Sequence, residues 1–179
     1  MRILLIGNGG REHAIAMAIS KSSLLTQLYA LPGNPGISEY CECVDIYINN
    51  YSDIYNFVKN NNIDLVIIGP EVPICDGLSD ILSDLDILVF APNKMASALE
   101  SSKKFTKEIA FENNIPTAKA NCFSDAFNAK NYLNNMDGPY VIKADGLAAG
   151  KGVSICDNIK DAREAVDEIF SGKFGLKQN

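Results

Sequence analysis

Apolar residues in the first half of the chain fall in short unbroken runs separated by helical stripes. RILLI (2–6) is a continuous apolar run, the mark of a strand buried on both faces of a parallel sheet. Ile15, Ala18 and Ile19 follow at helical spacing. LYAL (28–31) predicts a second strand, ending in the turn PGNPG (32–36). Ile54, Phe57 and Val58 mark another helical stripe, which Asn60, Asn61 and Asn62 stop. DLVIIG (64–69) is the plainest strand. A loop, PEVPICDG (70–77), and a helix toward Asp84 come after it, and ILVFA (87–91) closes the series. Strand alternating with helix predicts a parallel α/β sheet with right-handed crossovers.

Beyond Pro92 the pattern changes. Met95, Ala98 and Leu99 predict a short helix. Ser101 or Ser102 can cap another that runs to Asn113, and Pro116 ends it. AKANCF (118–123) then predicts a strand, followed by a helix from Ser124 and two strands around a glycine-rich loop. A helix capped by Asn158 closes the unit. Its residues Ala162, Ala165, Val166, Ile169 and Phe170 recur at i, i+3, i+4, i+7 and i+8. The expected organisation is a parallel-sheet domain over 1–92, a helical linker over 93–116 and a small α+β unit over 117–179. A sheet of two or three strands is marginal by itself, so this last unit is expected to be incomplete.

Composition narrows the partners. At 47% hydrophobic and 21% charged residues the chain is ordinary globular material, with no apolar run long enough to span a membrane. A net charge of −6 argues against nucleic acid, which needs a basic footprint. The five cysteines are odd in number and form no CxxC pair. That fits reduced thiols in a cytoplasmic protein better than a disulfide framework or a zinc site. Cys41 and Cys43 read as two small residues near a strand.

Two glycine-rich stretches carry candidate chemistry. In LIGNGGREHA, Gly7, Gly9 and Gly10 lie between a buried strand and a helix. A dinucleotide fingerprint fails there, because Glu12 stands where the third glycine belongs and no acidic residue ends the second strand. Backbone amides at a helix N-terminus remain, flanked by Asn8, Arg11 and Glu12, and they suit a sugar phosphate better than NAD. The alternative is a turn that needs glycine for geometry alone. PGNPG and GPEVP end the second and later strands, where open parallel sheets bind ligands, so Asn34, Pro70 and Glu71 join the candidate rim. His13, the only histidine, is expected to pack or to position substrate, and no catalytic residue is assigned.

The second stretch is PYVIKADGLAAGKGVSI (139–155). It is not a P-loop: Gly146 and Gly150 are too close together, and Gly152 occupies the place of the magnesium-binding hydroxyl. The chain instead re-enters a strand. A hairpin offering the amides of Gly146, Gly150 and Gly152 beside Lys151 can still clasp a polyphosphate. An ordinary flexible hairpin is the bland alternative.

In order and spacing, GNGGREHA, GPEVPICDG, ALESSKKFTKE and PYVIKADGLAAGKGV resemble the phosphoribosylamine–glycine ligases (glycinamide ribonucleotide synthetases) of the ATP-grasp superfamily. The resemblance covers essentially the whole chain. It implies a Rossmann-like, pre-ATP-grasp domain binding phosphoribosylamine, then the flap-bearing subdomain of an ATP-grasp fold whose C-terminal half is absent. The family's chemistry is attack of the glycine carboxylate on ATP, giving glycyl phosphate, from which the amine of phosphoribosylamine displaces phosphate. By the same resemblance Lys103 and Lys143 contact ATP phosphates, and Lys151 with the Gly146–Gly152 amides forms the flap. Mg2+ is required, with its ligands expected in the absent half, so the chain alone is expected to be inactive. Two alternatives stand beside this one. A sibling ATP-grasp enzyme, such as a carboxylating purine-pathway ligase or biotin carboxylase, is opposed by GREHA and GPEVP. A non-catalytic nucleotide- or sugar-phosphate-binding module is the other.

Overall fold

The apolar run at the N-terminus becomes β1 (Arg2–Gly7), in which Leu4, Leu5 and Ile6 are fully buried. The computed structural model describes residues 1–148 and 150–172, and the chain divides between Ser97 and Ala98 into two units.

In the first unit β1 is joined by β2 (Gln27–Pro32), β3 (Glu42–Cys43), β4 (Leu65–Ile68) and β5 (Leu88–Phe90) in a parallel sheet of order β3-β2-β1-β4-β5. The expected parallel α/β architecture is what forms. Alternation along β1 gives each sheet face its own core. Leu4 and Ile6 pack with Leu31, Ile54, Val58, Val66, Leu78 and Leu82. Ile3 and Leu5 pack with Ala16, Leu28, Ala30, Ile37 and Ile67 on the other face. The helical connections are α1 (Gly10–Ile19), α2 (Tyr51–Asn60), α3 (Glu71–Asp76) and α4 (Leu78–Leu82), with a 3-10 turn at Ile37–Glu39; α5 (Lys94–Ser101) runs across the division at Ser97. The chain steps outward from β1 to β2 and β3, then crosses back to β4. The strand order therefore reverses beside β1, and crevices in open α/β sheets form at the carboxyl ends of such strands.

One expectation in this unit is corrected. PEVPICDG, expected as a loop, holds the helix α3. Proline suggests a loop, yet Pro70 is the N-cap and Pro73 lies in the first turn, where a missing N–H costs nothing. Gly77, at φ +98°, then ends the helix in the left-handed conformation that glycine adopts freely.

The second unit contains α6 (Lys103–Glu112), α7 (Ala126–Leu133), β6 (Tyr140–Lys143), β7 (Val153–Cys156) and α8 (Ile159–Phe170). β6 and β7 form the expected antiparallel hairpin, with Tyr140 opposite Cys156 and Lys143 opposite Val153. Ala129, Leu133, Tyr140, Cys156, Ala162, Ala165 and Val166 make its core. Side chains of Ser102, Asp125 and Asn158 accept hydrogen bonds from Phe105, Asn128 and Asp161 N–H, capping α6, α7 and α8. The strand expected over AKANCF does not form. Its alternation resembles a strand, but the segment is exposed and pairs with no strand among the described residues, so its period buries nothing. Lys107 Nζ instead ties the start of this segment to α6, donating to Thr117 Oγ1 at 2.7 Å and Ala118 O at 2.6 Å. Among the described residues no helix is long and apolar enough to cross a membrane.

Candidate functional site

Parallel pairing brings the carboxyl ends of three strands together: Gly7 lies opposite Pro32, and Ile6 lies between Leu31 and Ile68. The loops after β1, β2 and β4 thus form one rim in the first unit. Asn34 Nδ2 donates to Asn8 O at 2.8 Å, joining two of these loops, and Asn34 Oδ1 accepts from Ile37 N at 2.9 Å. Both ends of the Asn34 amide are therefore engaged in shaping the rim. Across the rim, Arg11 Nη2 donates to Glu71 Oε1 at 3.3 Å and Nε donates to Glu12 Oε1 at 3.1 Å. The two carboxylates hold the Arg11 guanidinium charged and raise its pKa, the hydrogen bond that Arg11 donates to Glu12 most of all. Pro70 sets the start of α3, so that Glu71, its first residue, stands half-exposed at the rim.

The amides at the start of α1 are divided in use. Gly9 N–H donates to Glu12 Oε2 at 2.7 Å, so this group is already satisfied within the protein. Gly10 and Arg11 N–H stand in the first helical turn, where no intrahelical acceptor exists. His13 turns away to the loop after β2. Its ring lies 5.7 Å from that of Tyr40, and a Cβ on Gly36 would come within 2.6 Å of its Cε1. That contact fits packing.

Cys41 and Cys43 lie at the edge of the same unit. Burial, reinforced by Cys43, pushes the Cys41 thiol up to about 11. A free thiol titrates near about 8.5, so iodoacetamide near that pH should label Cys41 more slowly than free cysteine. Equal labelling rates, mapped by peptide mass spectrometry, would refute the shift. The neutral thiol is favoured in the fold, so its contribution is complete below the unfolded pKa and disappears as pH climbs through about 11.

The second unit gathers the other candidates at the base of the glycine-rich loop. Lys103 Nζ donates to Gly146 O at 2.9 Å. Asp145 binds the start of α6 more firmly: Oδ1 accepts from Lys103 N at 2.6 Å and Lys104 N at 3.3 Å, and Oδ2 accepts from Ser102 Oγ at 3.1 Å. Ala144 N donates to Gly152 O at 2.8 Å, and Lys151 N to Ala148 O at 2.9 Å, closing the loop from its far side. Gly150 and Lys151 are exposed; Ala149 lies outside the described residues. Lys143 is exposed on the hairpin face that also carries Val141, Val153 and Ile155. No short-range pattern marks Asp145, because its partners lie more than 40 residues away in sequence.

Residues 1–100 match the family described as phosphoribosylglycinamide synthetase, N domain, and residues 101–179 match that family's ATP-grasp (A) domain. The phosphoribosylamine–glycine ligase of Rhizobium meliloti is 49% identical over 175 residues, which is 98% of this chain and 41% of that protein. The crystal structure of phosphoribosylamine–glycine ligase from Thermotoga maritima superposes with a TM-score of 0.79 at 27% identity, covering 99% of this chain and 42% of that one. At 17% identity, the biotin carboxylase domain of Hydrogenobacter thermophilus 2-oxoglutarate carboxylase shares the fold, with a TM-score of 0.73 over 97% of this chain and 42% of its own. The chain spans about two-fifths of the length of the curated phosphoribosylamine–glycine ligases it matches. Two adjoining domain matches cover it without a gap, and they agree with the ATP-grasp fold of both solved structures. The chain belongs to the phosphoribosylglycinamide synthetase family.

Proposed function

We propose that this chain is the N-terminal part of an ATP-dependent ligase that joins glycine to 5-phosphoribosylamine in cytoplasmic purine biosynthesis. The products are glycinamide ribonucleotide, ADP and phosphate. The observation that carries the reading is the rim of the first unit, where the Arg11–Glu71 pair joins the loops after β1 and β4 beside the first-turn amides of α1. Gly10 and Arg11 N–H would receive the sugar phosphate at the positive end of the helix. The half-exposed Glu71 carboxylate would accept from ribose hydroxyls.

The second unit would serve ATP as substrate. Lys103 and Lys143 would neutralise its phosphates, and Lys151 with the amides of Gly146, Gly150 and Gly152 would close over them. Lys143 suits that role, being exposed and without a hydrogen bond or ion pair among the described residues. Lys103 would exchange its Gly146 carbonyl for a phosphate oxygen. Magnesium, where bound, would supply charge neutralisation to the transferred phosphoryl group. Among the described residues no cluster of three or more carboxylates, histidines or cysteines gathers to hold it. The residues of this chain thus supply binding and orientation, which convert a bimolecular encounter into an ordered one.

Calorimetry with ribose 5-phosphate tests the sugar-phosphate site on the chain itself. Gly9 is a poor place to probe, because a Cβ there would come within 2.9 Å of Glu12 Oε2. Gly10 meets nothing within 4 Å, so Gly10→Val leaves the packing intact while placing a branched side chain beside the amides. Its affinity should fall by about tenfold or more, the loss of a charge-assisted hydrogen bond. Equal affinity in variant and parent would remove the first-turn amides from the site.

A further inference from the structure

The side chain of Glu12 is 4% exposed, and three glycines from two loops surround it. A Cβ on Gly7 would come within 2.6 Å of its Cγ, one on Gly9 within 2.9 Å of Oε2, and one on Gly69 within 2.1 Å of Oε1. A carboxylate taken out of water needs strong partners, and this one has two: Gly9 N–H at 2.7 Å and Arg11 Nε at 3.1 Å. An apolar residue could fill the same space without that demand. Buried charge pairs are therefore weak as devices of stability and stronger as devices of arrangement.

Arg11 carries the arrangement outward. Its side chain is 58% exposed, its Nε is held from below by Glu12, and its Nη2 reaches Glu71 across the mouth of the crevice. We propose that Glu12 is a positioning residue: it fixes the Arg11 guanidinium, and through it the Glu71 carboxylate, in the orientation that the sugar-phosphate ligand meets. Both Glu12 oxygens are occupied within the protein, so Glu12 acts through Arg11 and does not touch the ligand. Gly7, Gly9 and Gly69 are the room this buried carboxylate requires. The assignment rests on the sugar-phosphate reading of the same rim, and it adds a division of labour that the reading lacks.

The test uses the whole chain and two measurements. The first is the nuclear magnetic resonance signal of the Arg11 Nε–H, which a carboxylate partner shifts downfield and protects from exchange. The second is calorimetry with ribose 5-phosphate. In Glu12→Gln the Nε–H signal should move toward that of a free arginine, and affinity should fall about tenfold. Arg11→Met should lose a similar amount, and the double variant should bind no more weakly than Arg11→Met alone. Glu71→Gln, at a half-exposed position that cannot endanger the fold, should keep the shifted Nε–H signal while weakening binding. That variant retains its force even if Glu12→Gln fails to fold. Unchanged binding in Glu12→Gln, additive losses in the double variant, or an unshifted Nε–H signal in the parent would each overturn the positioning role. Absence of binding by the parent would instead overturn the sugar-phosphate reading and the functional half of the proposal with it, leaving the tether itself to stand or fall on the Nε–H signal.

Discussion

Leu5→Ala should lower the unfolding free energy of the first unit by about 2–5 kcal/mol, the usual range for emptying a leucine site that cannot collapse. Leu5 is fully buried on the central strand, enclosed by Ala16, Leu28, Ala30, Ile37 and Ile67. Neighbours on both sides are themselves in a hydrogen-bonded sheet, so the backbone cannot shift to fill the cavity. Leu4→Ala should cost a similar amount through the opposite core, where Leu31, Val66, Leu78 and Leu82 enclose the side chain. Leu88 is the control. It lies on the edge strand β5 and is 62% exposed, so its truncation should change stability by less than about 0.5 kcal/mol. Urea titration followed by circular dichroism and tyrosine fluorescence gives all three values, there being no tryptophan to dominate the signal. A loss below about 1 kcal/mol for both core variants would mean that β1 is not the doubly covered centre of the sheet.

That prediction depends on the part of the fold most legible in sequence. RILLI and DLVIIG are apolar at consecutive positions, which only a strand covered on both faces can satisfy, and β1 and β4 are such strands. The cap Asn158 was equally legible, whereas Ser101 and Ser102 both stood as candidates before α6 and Ser102 is the one that bonds the amide three residues on. Local signals misled where they had two structural solutions. Pro70 and Pro73 are compatible with a loop or with the first turn of a helix, and the burial of Pro73 within α3 favours the helix. AKANCF has the period of a strand but no apolar surface large enough to hold one.

The candidate site divides in the same way. Its rim was legible because glycine and proline mark the loops at strand ends, and parallel topology then forces those loops together. The partners within the rim were not. Glu12 stood out as the residue that breaks a dinucleotide fingerprint and as a polar group beside the α1 amides, whereas its carboxylate is enclosed by Gly7, Gly9 and Gly69, the last just after β4 and more than fifty residues away. Asn34 stood out as a polar group for a ligand, whereas its amide links Asn8 O to Ile37 N. Composition and spacing locate such residues but cannot say which of their polar atoms the protein itself consumes.

Asp145→Ala should loosen the glycine-rich loop from α6, leaving the Lys103 Nζ bond to Gly146 O, and lower the stability of the second unit by about 0.5–2 kcal/mol, the range for losing a helix N-cap. The carboxylate accepts from two first-turn amides, Lys103 and Lys104 N–H, and from the Ser102 hydroxyl. Ser102 Oγ still caps Phe105 N at 3.1 Å in the variant, so α6 should shorten little and the unit should stay folded. The lost negative charge also removes a favourable interaction with the helix N-terminus. The same loss can be read locally: amide hydrogen exchange at Lys103 and Lys104 should accelerate by about an order of magnitude, since roughly 1.4 kcal/mol is a factor of ten. Asp145→Asn keeps an acceptor without the charge and should fall between parent and alanine variant. Lys103→Met separates the two halves of the contact: it removes the ammonium bond to Gly146 O but leaves the Asp145 cap, so Lys104 N–H should remain protected. Exchange at Lys103 and Lys104 that is indifferent to Asp145→Ala would show that α6 holds its own first turn. Lys103 would then hold the loop at Gly146 only through its side chain.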